Sequence, residues 1–238
     1  MSTVRRGKGD RAFEAPDLIE VMEEAVRYNR FLVDELAGWA RGADSLLDFG
    51  AGNGRFSAAL QQRGHEIYAV EPDAALRARI AERGVSARES LAGFDPELRF
   101  DGIYTVNVIE HVEDDAGLLR AFFERLRPGG RLFVYVPAFE LLFSENDRRV
   151  GHLRRYRRSG LRELSVGAGF RVERARYVDC LGFFAGLAYR FFGNRDGGLD
   201  LGAVRLYDGA VFPVSRVLDR ALGRAFGKNL LLTGVRPG

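Results

Sequence analysis

The residues with the clearest chemical potential are Asp48, Gly50, Gly52 and Gly54, in the stretch Leu46-Leu47-Asp48-Phe49-Gly50-Ala51-Gly52-Asn53-Gly54, together with Glu71 further on. Three alternate glycines leave a turn without Cβ atoms, so its backbone can take positive φ and a ligand can lie directly on the peptide groups. A dinucleotide fingerprint has the spacing G-x-G-x-x-G behind an apolar strand end, because a pyrophosphate must rest on bare N–H groups. Here the spacing is G-x-G-x-G, and Asp48 stands at the strand end. A carboxylate there repels phosphate and attracts an ammonium or sulfonium, so a cationic ligand is favoured. Glu71 closes the short apolar run Ile67–Val70. An acid so placed can accept protons from both ribose hydroxyls, which supports a nucleoside without choosing it.

These residues need a scaffold, and hydrophobic periodicity supplies one. Leu18, Val21, Met22, Ala25, Val26, Phe31, Leu32 and Leu36 recur at helical spacing behind Pro16 and Asp17, which predicts an amphipathic helix ahead of the first strand. The glycine turn then opens a helix that Gly64 stops, and Ala74–Glu82 and Val112–Arg125 read as further helices. Apolar runs predict strands at Val85–Arg88, Phe100–Asn107, Arg131–Pro137, Phe170–Val178 and Asn229–Val235, and the Leu126–Gly130 segment has turn chemistry. Leu161–Ala168 reads as a helix, and Val204–Leu222 as an amphipathic helix kinked at Pro213. Strands alternating with helices define an α/β fold with a mostly parallel sheet.

The stretch from Leu46 resembles the first motif of class I S-adenosylmethionine-dependent methyltransferases, acidic-x-G-x-G-x-G, with every position filled. Glu110-His111-Val112 and Leu126-Arg127-Pro128-Gly129-Gly130 resemble later segments of its small-molecule branch, so the likeness runs from about Leu46 to Val136. The resemblance implies a Rossmann-like seven-stranded sheet with an antiparallel last strand, helices on both faces, and extra helices at both ends of the chain. It implies S-adenosylmethionine as cofactor, with Tyr28, Asp48, Gly50, Ala51, Gly52, Glu71, Pro72, Ser90 and Asn107 around it, Tyr28 as a lid residue. The Asn/Asp-Pro-Pro-Tyr/Phe motif of nucleobase and glutamine-amide methylation is absent after the fourth strand. Acceptor and lid elements are expected at 16–40, 138–160 and 179–225 of one domain spanning 16–238, with 1–15 a frayed tail.

Methylation of a hydroxyl removes a proton, which calls for a base. His111 and His152 are the imidazoles in position, since His65 follows a surface helix, and Tyr156 stands beside His152. These three are the candidate catalytic residues. Asp147–Arg158 carries six arginines beyond the fifth strand, where guanidiniums could hold an anionic acceptor or simply be solvated.

The composition limits the alternatives. The net charge is +3, the isoelectric point is about 9.2, and only Lys8 and Lys228 among the 36 basic residues are lysines. One cysteine, Cys180, and three histidines exclude an internal disulfide and predict no metal site. The N-terminal segment lacks the apolar core of a secretory signal, so a cytoplasmic protein is expected. Leu181–Phe192 is apolar but shorter than the roughly 20 residues of a bilayer span. Three readings of it stay open: a buried helix, a homodimer surface, or a peripheral membrane contact that reaches lipid-linked acceptors. Nucleic acid is a weaker partner, because no RNA-binding module is present. An RNA methyltransferase and a non-catalytic S-adenosylmethionine-binding protein are the alternatives to methyl transfer onto an oxygen, nitrogen or carbon atom of a small-molecule or lipid-linked acceptor. A short-chain dehydrogenase is excluded, as neither lysine has a tyrosine four residues before it.

Overall fold

The centre of the molecule is a strand, β1 (Ser45–Phe49), whose Leu46 and Leu47 are both fully buried. Adjacent residues of a strand point to opposite faces, so two buried leucines in sequence require cover on both sides. A computed structural model describes residues 24–192 and 201–238. Within it the sheet has seven strands: β1, β2 (Glu66–Val70), β3 (Ser86–Arg88), β4 (Phe100–Val106), β5 (Leu126–Pro137), β6 (Arg171–Val178) and β7 (Asn229–Val235). Their order is β3-β2-β1-β4-β5-β7-β6. The first five are parallel, and β7 runs antiparallel to both β5 and β6.

The alternation divides the core in two. Leu47, Ile103, Leu132, Val134 and Leu232 face one layer, with Leu119 and Phe122 of helix α4 (Asp115–Arg125) and Leu161 of α6 (Arg158–Gly167). Leu46, Tyr104, Phe133, Tyr135 and Leu231 face the other. That layer takes Phe31, Leu32 and Leu36 of α1 (Val26–Trp39), Leu60 of α2 (Arg55–Gln61) and Ile80 of α3 (Ala74–Glu82). The remaining helices are α5 (Glu145–Arg149), which follows β5, and α7 (Cys180–Phe192), α8 (Leu201–Leu206) and α9 (Phe212–Leu222), which lie between β6 and β7 in the chain.

The strand order reverses beside β1. The chain leaves β1 through α2 to β2 on one side, and it returns from β3 to β4 on the other. The connections that follow β1 and β4 therefore run to opposite sides of the sheet, the arrangement in which an open α/β sheet takes a ligand outside the carboxyl ends of its strands.

The helix expected over 112–125 begins at Asp115, and a short 3₁₀ turn, Ile109–His111, precedes it. In place of the break expected at Pro213, residues Tyr207–Val211 just upstream form a π turn, and Pro213 occupies the first turn of α9. Proline lacks an N–H and is tolerated there, so the irregularity falls on the residues preceding it. The tail 1–15, and Pro16 with Asp17 as a helix start, lie outside the described residues.

Candidate functional site

The glycine turn is built by backbone geometry. Gly50 has φ 80°, Gly52 φ 55° and Gly54 φ 75°, all left-handed. At Gly50 space adds to the constraint: a Cβ would sit 2.3 Å from Val108 Cγ2, so the loops after β1 and β4 touch through this glycine. Gly50 N–H and Ala51 N–H both donate to the carbonyl of Val70, at 2.8 and 3.0 Å, which fastens the turn to β2. Gly52 N–H donates to Glu71 Oε2 at 2.8 Å, and Asp73 N–H donates to Glu71 Oε1 at 3.0 Å. Thus Gly50, Ala51, Gly52, Glu71 and Pro72 are gathered at one point, with Asn107 beyond β4 at φ 54°. Ser90 lies exposed past the end of β3, and its side chain caps nothing.

Asp48 corrects the sequence reading. It was expected to offer a free carboxylate to a cationic ligand, yet it is only 2% exposed and accepts a hydrogen bond from Ser57 Oγ at 2.6 Å. Burial raises its pKa to about 7, against the lowering effect of Ser57. Its carboxyl lies beneath the turn and ties β1 to α2. Glu71 is the acid whose contacts are with the turn itself.

A second wall comes from α1. Tyr28 Oη lies 3.1 Å from Tyr135 Oη, and its ring meets Phe212 edge-on at 5.4 Å between centroids. Asp208 in the π turn accepts from both Arg27 N–H and Tyr28 N–H at 2.8 Å, so it caps the first turn of α1 from 180 residues away in the chain. Burial moves the Tyr28 phenol well above its ordinary range, and it stays neutral.

At the far end the loop after β4 meets the segment after β5. His111 and His152 stand edge-to-face with 4.7 Å between ring centroids. His152 Nδ1 contacts Asp147 Oδ1 at 2.7 Å, and His111 Nδ1 contacts the carbonyl of Gly151 at 3.1 Å. His152 Nε2 is 3.8 Å from Glu110 Oε1. Glu110 is fully buried, neither of its oxygens has a hydrogen-bond partner among the described residues, and burial raises its pKa to about 8. Burial also lowers the pKa of His111, with the neighbouring His152 adding to the effect.

Two groups of this region are committed to internal contacts. Tyr156, predicted to assist His152, is 7% exposed and its hydroxyl is committed to Asp115 Oδ2 at 2.8 Å and the carbonyl of Ile109 at 3.2 Å. With that burial and a carboxylate acceptor, its proton is held far more tightly than in free tyrosine. The arginines of this segment, left open between holding an anionic acceptor and being solvated, are largely paired within the chain. Arg155 makes a two-point contact with Asp147 through Nε and Nη2 at 2.9 and 3.0 Å, and Arg154 pairs with Asp115 at 2.8 Å. Asp147 in turn lies well below the usual carboxylate range, held by His152 and Arg155 against the cost of burial.

Glu110, Asp147, Ser57 and Asp208 are the site residues the sequence reading did not assign. Glu110 and Asp147 had a signal, standing next to His111 and within the Asp-x-x-x-Gly-His spacing, whereas Ser57 and Asp208 act only through tertiary contacts.

A glycine cradle and an acid at the switch point of a parallel sheet define a nucleoside-binding α/β protein. A methyltransferase domain model matches residues 22–175, and the chain belongs to that family. It is 33% identical over 111 residues to a ubiquinone biosynthesis O-methyltransferase of Pseudomonas fluorescens, which covers 42% of this chain and 47% of that protein. A ubiquinone biosynthesis O-methyltransferase of Aeromonas salmonicida is 32% identical over 99 residues, covering 37% and 41%. The match thus spans less than half the length of these curated relatives. Among solved structures, a methyltransferase of Thermotoga maritima described as a possible histamine N-methyltransferase superposes with TM-score 0.60 at 16% identity, covering 94% of this chain and 97% of that one. A S-adenosylmethionine-dependent methyltransferase of Archaeoglobus fulgidus does so with TM-score 0.61 at 14% identity, covering 93% and 100%. At such identity the likeness concerns the fold.

Proposed function

We propose that this protein transfers the methyl group of S-adenosylmethionine to an oxygen of a small-molecule or lipid-linked acceptor. The observation that carries the reading is the joint geometry of the glycine turn and Glu71: a backbone surface with no Cβ at its closest approach, edged by a carboxylate already receiving Gly52 N–H and Asp73 N–H. Glu71 has lone pairs left for ribose hydroxyls, and Asn107 and Ser90 would border the rest of the adenosyl group. Asp48 acts beneath the turn rather than on the ligand. When bound, the donor supplies an electrophilic methyl on a cationic sulfur. The chain's part is to align it with the acceptor and exclude water.

Tyr28, capped in place by Asp208, closes the crevice from above as a lid residue. His111 and His152, with 4.7 Å between their ring centroids, stand at the end of the site where the acceptor would lie. The kinship with O-methyltransferases of ubiquinone biosynthesis favours an oxygen acceptor. No helix among the described residues is long and apolar enough to cross a membrane. Phe184 on α7 and Val214 and Val217 on α9 are more than half exposed. This supports peripheral contact with a bilayer holding a lipid-linked acceptor, with a homodimer as the competing occupant.

Calorimetric titration with S-adenosylmethionine, and separately with NADH, tests the donor. Binding of the first alone is expected, and binding of NADH alone would overturn the reading. Incubation of cell extracts with isotopically labelled donor then identifies the acceptor.

A further inference from the structure

We propose that Glu110, His111 and His152 form a site for a divalent transition-metal ion of the zinc type, at the acceptor end of the crevice. One ligand atom from each residue, the two imidazole nitrogens and a carboxylate oxygen, lies within 4.8 Å of the others. Two imidazoles and a carboxylate suit a borderline ion such as Zn²⁺ or Co²⁺, and not magnesium or calcium, which prefer all-oxygen sites.

Three features make this more than proximity. First, each imidazole is already oriented. His152 Nδ1 meets Asp147 Oδ1 at 2.7 Å and His111 Nδ1 meets the Gly151 carbonyl at 3.1 Å. Oxygen acceptors draw the ring proton to Nδ1, which leaves the lone pair on Nε2 of both rings. Metal-binding histidines are held in the same way by a carboxylate or carbonyl behind the ring. Second, Glu110 is wholly buried with both oxygens unpartnered among the described residues. His152 Nε2 lies 3.8 Å from Glu110 Oε1, beyond hydrogen-bond reach. A buried carboxyl without a partner is costly, and a cation between Glu110 and the two rings would satisfy it. Third, His111 is exposed, so an ion can enter, and three protein ligands leave a position open.

The open position deepens the proposed methyl transfer, on which this part of the inference rests. An acceptor hydroxyl bound there would release its proton to solvent at neutral pH. Its oxygen would then form the O–CH₃ bond as the S–CH₃ bond breaks, the electron pair staying on sulfur to give a neutral thioether. The histidines would be ligands, not bases.

The test uses tag-free protein stripped with dipicolinate. Co²⁺ is titrated while its visible d–d bands are recorded, and Zn²⁺ is titrated by calorimetry. One equivalent per chain is expected, with dissociation constants in the micromolar range or tighter. His111→Asn, at an exposed position, and His152→Asn should each weaken binding at least tenfold, and Glu110→Gln should do the same if it folds. Absence of stoichiometric binding, or affinities unchanged in both histidine variants, overturns the proposal. S-adenosylmethionine titrated into the same stripped sample separates the two readings. Donor binding without metal binding refutes this site alone, and metal binding without donor binding refutes the methyltransferase reading alone.

Discussion

Gly50→Ala is the sharpest perturbation of the donor site, because two independent costs fall on one methyl group. The first is conformational: at φ 80°, an alanine is held in the left-handed region, at about 1–2 kcal/mol. The second is steric, since the new Cβ would lie 2.3 and 2.9 Å from the two methyls of Val108, and overpacking of this kind costs about 1–3 kcal/mol. Together they predict a loss of about 2–5 kcal/mol, which for a chain of this size lowers Tm by about 5–15 °C. Val108→Ala in the same chain removes the steric part and leaves the conformational one. The double mutant should therefore be more stable than the sum of the single changes by about 1–3 kcal/mol, read from urea denaturation. The strain also displaces the peptide that gives Gly52 N–H to Glu71, so affinity for S-adenosylmethionine should fall at least tenfold in Gly50→Ala by calorimetry. Strictly additive stabilities combined with unchanged donor affinity would refute both the contact between the two loops and the place of the turn in binding.

Further expectations concern neighbouring groups. Glu71→Ala removes the acceptor of Gly52 N–H and Asp73 N–H together with the ribose contacts. It should weaken donor binding by about 10–100-fold, as expected for charge-assisted hydrogen bonds worth about 1.5–3 kcal/mol, and equal affinities in a titration would rule that role out. Asp48, with a pKa of about 7 in the folded protein against about 3.8 in an unfolded chain, favours folding fully below about pH 4, and that contribution is lost as pH rises through 7. Between pH 5 and 8 the ligand-free protein should therefore lose stability relative to Asp48→Asn, by on the order of 2–3 kcal/mol. Parallel profiles in denaturant titrations would contradict the raised pKa. Tyr156→Phe should cost about 1–2 kcal/mol of stability through its lost bond to Asp115, while turnover, once an acceptor is known, stays within about twofold. A hundredfold fall in turnover with unchanged stability would return the tyrosine to the chemistry.

The linear sequence determined the parts of this molecule that depend on local rules. Period-two burial requires cover on both faces of β1, β4 and β5, and three alternate glycines with Glu71 at the next strand end mark a nucleoside cradle whatever lies further along the chain. Asn229–Val235 was legible as a strand for the same reason, being apolar on both faces in the body of the sheet. Tertiary structure decided everything that turns on which way a side chain faces and what it meets. Asp48 and Glu71 read alike as acids at strand ends, yet one lies under the turn against Ser57 and the other at its edge. Tyr156 and His152 are near neighbours in the chain, but a hydrogen bond to Asp115 removes the first from the crevice while Asp147 orients the second toward Glu110. Asp208 caps α1 across 180 residues, a pairing no local pattern encodes, because hydrogen bonds and ion pairs depend on ångström distances that only the folded chain creates.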